Sequence, residues 1–235
     1  MMLEKLRADL EKLADPQKGK FLQRFFKTGK GEYGYGDVFL GLTVPQSRQL
    51  AIKYKDLTLV KVRELLKSKI HEERLIALLI LVHNFQKGDK KLKKKIFDFY
   101  LKSTKYVNNW DLVDLSANKI IGEYLLDKPT NILFDLAKSE SIWERRIAII
   151  ATYQFIINGK ADLTLKIAEI LVEDKYDLIQ KAVGWMLREV GKRISREREE
   201  EFLRKYYKKM PRTALRYAIE HFEPKVREKY LKGLL

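Results

Sequence analysis

The chain has 235 residues, no cysteine, and 48 Lys or Arg against 32 Asp or Glu, giving a formal charge of +16. That length can bury a full hydrophobic core, and the absence of Cys excludes disulfides, thiolate zinc sites, iron–sulfur clusters and a cysteine nucleophile. The excess positive charge points to a polyanionic partner, nucleic acid foremost.

The apolar period is helical almost throughout, which predicts an all-α protein. Helices are expected over 2–14, 18–28, 45–55 and 58–68. The next spans 71–85, where Leu75, Leu78, Leu79 and Val82 recur at i, i+3, i+4 and i+7. Further helices are expected over 89–103, 110–126, 130–138 and 142–157, then over 163–172, 177–193, 196–208, 212–222 and 224–232. Asp89, Asn109, Ser141 and Asp177 stand where N-caps belong. Gly88, Pro129, Gly159, Pro211 and Pro224 punctuate helix ends. No apolar run approaches the ~18 residues of a membrane span. The N-terminal MMLEKLRADLEKL is amphipathic and carries acids, unlike a signal peptide, so a cytoplasmic location is expected.

Residues 29–38, GKGEYGYGDV, break the helical pattern. They lack the preceding strand of a dinucleotide-binding fingerprint and the Gly-Lys-Ser/Thr of a P-loop. The segment reads either as a plain connection between helices or as a loop or β-hairpin in which Tyr33 and Tyr35 touch a nucleic acid.

The helices repeat. SKIHEERLIALLIL from Ser68, SESIWERRIAIIAT from Ser139 and KYDLIQKAVGWMLR from Lys175 align on Ala77, Ala148 and Ala182, at two periods and then one period of roughly 35 residues. YVNNWDLVDLSANKI, from Tyr106, fills the intervening slot, and a further copy with Ala214 and Ala218 begins at Met210. This is the pattern of an α-solenoid of HEAT-like repeats. The expectation is a single domain over 1–235, curved into a superhelix with a concave basic groove.

The residues suited to chemistry fall in those repeats. Trp110, Trp143 and Trp185 have core packing as their ordinary use. Trp110, though, follows the cap at Asn109 and sits at a helix mouth, while Trp185 shares its helix with Lys181, Arg188 and Lys192, a composition suited to tracking a nucleic-acid backbone. Asp111 is expected to join Asn108 in capping the helix that Trp110 opens. Asp114 lies four residues after Trp110, beside an apolar stripe through Ala117 and Ile121, where a carboxylate is costly unless paired or used. It stands five residues after its cap, as Arg146 does after Ser141. A structural salt bridge and a catalytic carboxylate are both open readings. His71, His83 and His221 form no ligand cluster, so no transition-metal site is expected. The lysine run at 90–95 reads as a solvated face with additional phosphate contacts.

The segments NNWDLVDLSANKIIGEYL, SIWERRIAIIATYQF and IQKAVGWMLREVGK resemble the DNA alkylation repair family of HEAT-repeat DNA glycosylases. The resemblance covers most of the chain and is most specific at 110–114, 142–146 and 180–189. It implies hydrolysis of the N-glycosidic bond of cationic alkylpurines, such as 3-methyladenine and 7-methylguanine, in duplex DNA by a cofactor-free monomer. It also implies a catalytic carboxylate at Asp114, an aromatic cleft from Trp110 and Trp185, and a DNA contact from Arg146; Lys181 and Arg188, on the helix of Trp185, are expected to add DNA contacts by their charge. Phe25 stands where active relatives carry Tyr, so Tyr33 or Tyr35 is expected to supply the missing hydroxyl. The 29–38 segment is longer than the family pattern. The alternatives are a non-catalytic relative that binds damaged or branched DNA, and a protein-interaction scaffold.

Overall fold

Side-chain caps, those of Asp15, Thr43 and Ser141 among them, open several of the helices in the computed structural model, which describes all 235 residues. The chain divides into two compact units, Met1–Ser116 and Ala117–Leu235.

The first unit begins with α1 (Met2–Lys12) and α2 (Pro16–Phe25). Helix α2 starts earlier than its apolar pattern suggests. Asp15 accepts hydrogen bonds from the amides of Gln17 and Lys18, and Pro16 occupies the first helical position, where its missing N–H costs nothing. Then come α3 (Val44–Lys53), α4 (Leu59–Leu66), α5 (His71–Lys87) and α6 (Lys90–Leu101). A short 3-10 turn, Thr104–Tyr106, leads to α7 (Trp110–Asp114). Helix α5 is buried nearly all round and packs against α3, α4, α6 and α7, so it is the axis of this unit's core.

In place of a β-hairpin, residues 28–36 form a series of turns, with Gly31 and Gly36 at left-handed φ. One isolated parallel bridge follows between Val38 and Ile70. In it Val38 N donates to Lys69 O at 2.9 Å and His71 N donates to Val38 O at 2.8 Å. The bridge seats the end of the Gly-rich segment on the entry to α5.

The second unit opens with a π-turn, Asn118–Gly122, and the single turn α8 (Glu123–Leu125). There follow α9 (Asn131–Ala137), α10 (Ile142–Ala151), α11 (Tyr153–Ile157), α12 (Asp162–Leu171) and α13 (Asp177–Arg193). The unit ends with α14 (Arg196–Tyr206), α15 (Arg212–Ala218), a 3-10 turn Ile219–His221 and α16 (Pro224–Lys232). Helix α13 is its axis, contacting α10, α12, α14 and α15. The aligned alanines mark these contacts: Ala148, Ala182 and Ala218 are fully buried, as Ala77 is in the first unit.

Three sequence expectations are corrected. The helix anticipated over 110–126 is interrupted after Asp114 and resumes as the π-turn Asn118–Gly122 and α8. Ser116 Oγ turns back onto the Leu112 carbonyl at 2.5 Å, a back-bond that competes with the helical ladder and bends the chain. The helix anticipated over 142–157 is interrupted at Thr152, whose hydroxyl binds the Ile149 carbonyl at 2.7 Å. Asp177 is the first helical residue of α13 rather than its cap, which is Tyr176. No helix is long and apolar enough to cross a membrane.

Candidate functional site

Helix α7 is only five residues long, so its first and last residues, Trp110 and Asp114, are one turn apart on one face. Asn109 opens it by accepting from the Trp110 amide at 2.8 Å. The Trp110 ring is half-buried and lies on Phe26, with centroids 5.1 Å apart and planes 13° apart. Phe25 meets it edge-on at 6.1 Å. Behind Trp110 the aromatic column continues. Phe26 stacks on Phe39 at 4.8 Å, and Phe39 stacks on His71 at 4.4 Å.

Outward from Trp110 the aromatic surface is open. Phe25 is 54% exposed and Phe21, stacked with it at 6.3 Å, is 56% exposed. Tyr35 is exposed on the Gly-rich turns and Tyr33 is half-buried. Asp114 is also half-buried. Its charge reaches Tyr100, whose phenol is raised above its ordinary range first by complete burial and then further by Asp114. The Tyr100 hydroxyl shares a 2.9 Å hydrogen bond with Ser116 Oγ.

Beneath the mouth of α7 lies a buried charged group. His71 Nε2 sits 2.8 Å from Asp111 Oδ2, and its Nδ1 faces Asp37 Oδ2 at 3.5 Å. Arg74 donates to the same Asp37 oxygen at 2.5 Å and to the Ser68 carbonyl at 2.7 Å. Burial pushes the His71 imidazole down, yet Asp111 and Asp37 together outweigh it and hold His71 above its usual value, against the opposing Arg74. Asp111 therefore does more than cap. One oxygen accepts from the Leu112 amide at 2.8 Å and the other binds His71, while the Asn108 side-chain oxygen, expected to share the capping, has no hydrogen-bond partner.

In the second unit, Trp185 is half-buried on α13. Its Nε1 donates to Glu189 at 3.3 Å, and its ring lies 6.2 Å from Tyr153, over which Arg193 sits at 5.5 Å. On the same helix Lys181 pairs with Asp177 at 3.0 Å, and Arg188 pairs with Glu220. Arg146 is the fifth residue of α10, as Asp114 is of α7. It is 5% exposed, and its Nη1 donates to the Leu178 carbonyl at the start of α13. Trp143 is half-buried. No group of three or more His, Asp or Glu side chains is placed to hold a metal ion.

The structure thus brings Trp110, Asp114 and Phe25 together in the first unit. In the second it brings Trp185, Lys181 and Arg188 onto one helix, with Arg146 bonded to that helix. Sequence reasoning missed Phe26, Phe39, His71 and Tyr153. One signal was available for His71: it begins four consecutive charged residues, HEER, at the head of an otherwise apolar helix. Such a run reads as a solvated first turn, and only tertiary contacts reveal that it is enclosed.

Among solved structures the fold is similar to that of a "Predicted DNA alkylation repair enzyme from Enterococcus faecalis". The TM-score is 0.69 at 18% identity, covering 90% of this chain and 97% of that one. No curated protein sequence matches the chain significantly. The family model for DNA alkylation repair enzymes matches residues 6–222, nearly the whole of both units, and with it the chain is placed in a DNA-repair family whose substrate is DNA. The protein belongs to the DNA alkylation repair enzyme family.

Proposed function

We propose that the protein is a monofunctional DNA glycosylase that hydrolyses the N-glycosidic bond of cationic alkylated purines, 3-methyladenine and 7-methylguanine among them, in duplex DNA. The observation that supports this most is the pairing on α7: a half-buried carboxylate, Asp114, one turn from an aromatic face, Trp110, which is itself backed by Phe26. An N3- or N7-alkylated purine carries a positive charge. When its bond to C1′ breaks, the electron pair goes to the ring and neutralises it, so no general acid is needed. The sugar becomes oxocarbenium-like, as in other glycoside hydrolysis. A fixed carboxylate stabilises that cation electrostatically and orients the water that adds to C1′, whose proton passes to the carboxylate or to solvent. Asp114 is assigned this role. Trp110 offers its π-face to the cationic sugar or base, and exposed Phe25 and Tyr35, with Tyr33, extend the contact along the backbone. Trp185 is assigned an equivalent aromatic contact, and Lys181 and Arg188 contacts to DNA; Arg146, 5% exposed and bonded to the Leu178 carbonyl, is instead assigned to orienting the start of α13.

The test is release of methylated purines from alkylated duplex DNA, with DNA affinity measured in parallel. Asp114→Asn should lower the single-turnover rate by about 100-fold or more while affinity stays within a few-fold of wild type. Equal release by both proteins, or none by wild type at saturating binding, would sink the assignment. A second reading, a DNA-binding relative that excises nothing, draws on Phe25 in place of Tyr, which leaves the face beside Trp110 without a hydroxyl at that position. It predicts tight binding to lesion-bearing or branched duplexes with no base release.

A further inference from the structure

The first turn of α5 encloses four consecutive charged side chains, His71, Glu72, Glu73 and Arg74, each no more than 3% exposed. Three of them have self-sufficient structural duties. Glu72 accepts from the amides of Leu40, Gly41 and Leu42, Glu73 takes a two-pronged bond from Arg7, and Arg74 ties Asp37 to the Ser68 carbonyl. His71 alone reaches α7. We infer that His71, in its doubly protonated form, is a positioning residue that holds the first turn of α7 through Asp111 and so sets where Trp110 and Asp114 stand.

The geometry carries this by two routes. One is polar. Each imidazole nitrogen faces a carboxylate, Asp111 on α7 at 2.8 Å and Asp37 on the segment before α3 at 3.5 Å. A neutral imidazole protonated on Nε2 still donates to Asp111, but its Nδ1 lone pair then faces the Asp37 oxygen as well as Arg74 Nη2, both at 3.5 Å. An imidazolium donates to both carboxylates. The second Asp111 oxygen is already held by the Leu112 amide at 2.8 Å, so the carboxylate that His71 grips is rigid with respect to α7. The other route is aromatic. The His71 ring stacks on Phe39 and lies 5.1 Å from Phe26, and Phe26 carries the Trp110 ring. An imidazolium is attracted to those π-faces, as other cations are.

Charge balance agrees. The groups facing His71 are Asp111, Asp37 and Arg74, with the apolar rings of Phe26 and Phe39 completing its surroundings. With His71 protonated, two anions meet two cations. Without that proton a net negative charge is enclosed, which is costly. The two carboxylates hold His71 above its ordinary value of 6.5, against the opposing pull of burial and Arg74, which favours the doubly protonated form.

The consequence for excision rests on the glycosylase reading, whereas the control of α7 does not, and the experiment separates them. Trp110 emission is followed from about pH 5.5 to about pH 9.5 in a chain whose Trp143 and Trp185 are phenylalanine, and the His71 imidazole is followed by NMR across the same window. Both should titrate together with a midpoint above 6.5. His71→Gln places an amide donor toward Asp111 but cannot titrate, so its Trp110 emission should lack the step. Single-turnover excision by wild type should fall about tenfold per pH unit above that midpoint, and His71→Gln should keep most of the plateau rate without that alkaline limb. Trp110 emission that ignores the His71 titration, or matching alkaline limbs in wild type and His71→Gln, would overturn the inference. Absence of excision at every pH, with Trp110 and His71 still titrating together, removes the glycosylase reading and leaves the positioning of α7 standing. Should His71→Gln not fold, Asp111→Asn serves instead: removing that charge must lower the His71 midpoint by about a unit or more and shift the Trp110 step with it, and an unmoved midpoint refutes the inference.

Discussion

Two enclosed carboxylates, Glu72 and Glu199, show how much a single side chain's surroundings decide. Glu72 accepts three backbone amides, at 2.8 to 3.3 Å, where the chain runs from the Gly-rich turns into α3. Glu72→Ala would strand those N–H groups in the interior, and urea unfolding should show a loss of about 3 kcal/mol or more. Glu199 is fully buried on α14, yet neither oxygen has a hydrogen-bond partner, and His221 Nε2 approaches only to 3.3 Å. Burial pushes Glu199 up from 4.5 to about 9 and pushes His221 down. At neutral pH the two are therefore an uncharged pair. Between pH 4.5 and about 9 the folded chain holds a proton on Glu199 that the unfolded chain has released, so this residue's contribution falls as pH rises. Glu199→Gln has no such proton. Its stability relative to wild type should climb by about 1.4 kcal/mol per pH unit across that window, measured by denaturant unfolding at several pH values. A flat difference would show that Glu199 is ionised in the folded protein. His71 carries the same sign for a different reason. Its contribution is full below pH 6.5, its unfolded value, and is lost as pH rises through its raised folded value.

At the scale of elements, the helices were legible because each carries its own period and several carry their own cap. Asp89 and Ser141 accept from Leu92 and Glu144 as their positions foretold. The lysine-rich face of α6 is largely solvated, with Lys94 paired to Asp98 at 2.6 Å. The breaks after Asp114 and at Thr152 were not legible. Both arise where a hydroxyl turns back onto a carbonyl, and the apolar period continues across them undisturbed. The contact between α13 and α15 also escapes the period. A β-carbon on Gly184 would stand 2.3 Å from the Ala214 carbonyl oxygen, so only glycine lets these helices approach so closely. Gly184→Ala should force them apart and cost roughly 1–3 kcal/mol, visible as a lower urea midpoint.

For the whole molecule the governing number is the formal charge of +16. If that charge serves DNA, affinity for duplex should fall steeply with salt, by about 10³-fold or more between roughly 50 and 200 mM, because phosphate contacts release counterions. A nearly salt-independent affinity would favour the protein-scaffold alternative. Charge, the all-α class, the repeat of buried alanines and the pair Trp110 and Asp114 were properties of the sequence itself. They follow from composition and from periodicities within one helix, which need no knowledge of what packs where. What tertiary structure alone decided is what surrounds each group. It set Phe26 rather than Phe25 beneath the Trp110 ring and left Phe25 open. It enclosed HEER at the head of α5 with a partner for every charge, and it turned Asp111 from a cap into the link between α7 and His71. These depend on segments far apart in the chain meeting in space, and the energies of burial and pairing exist only once they have met.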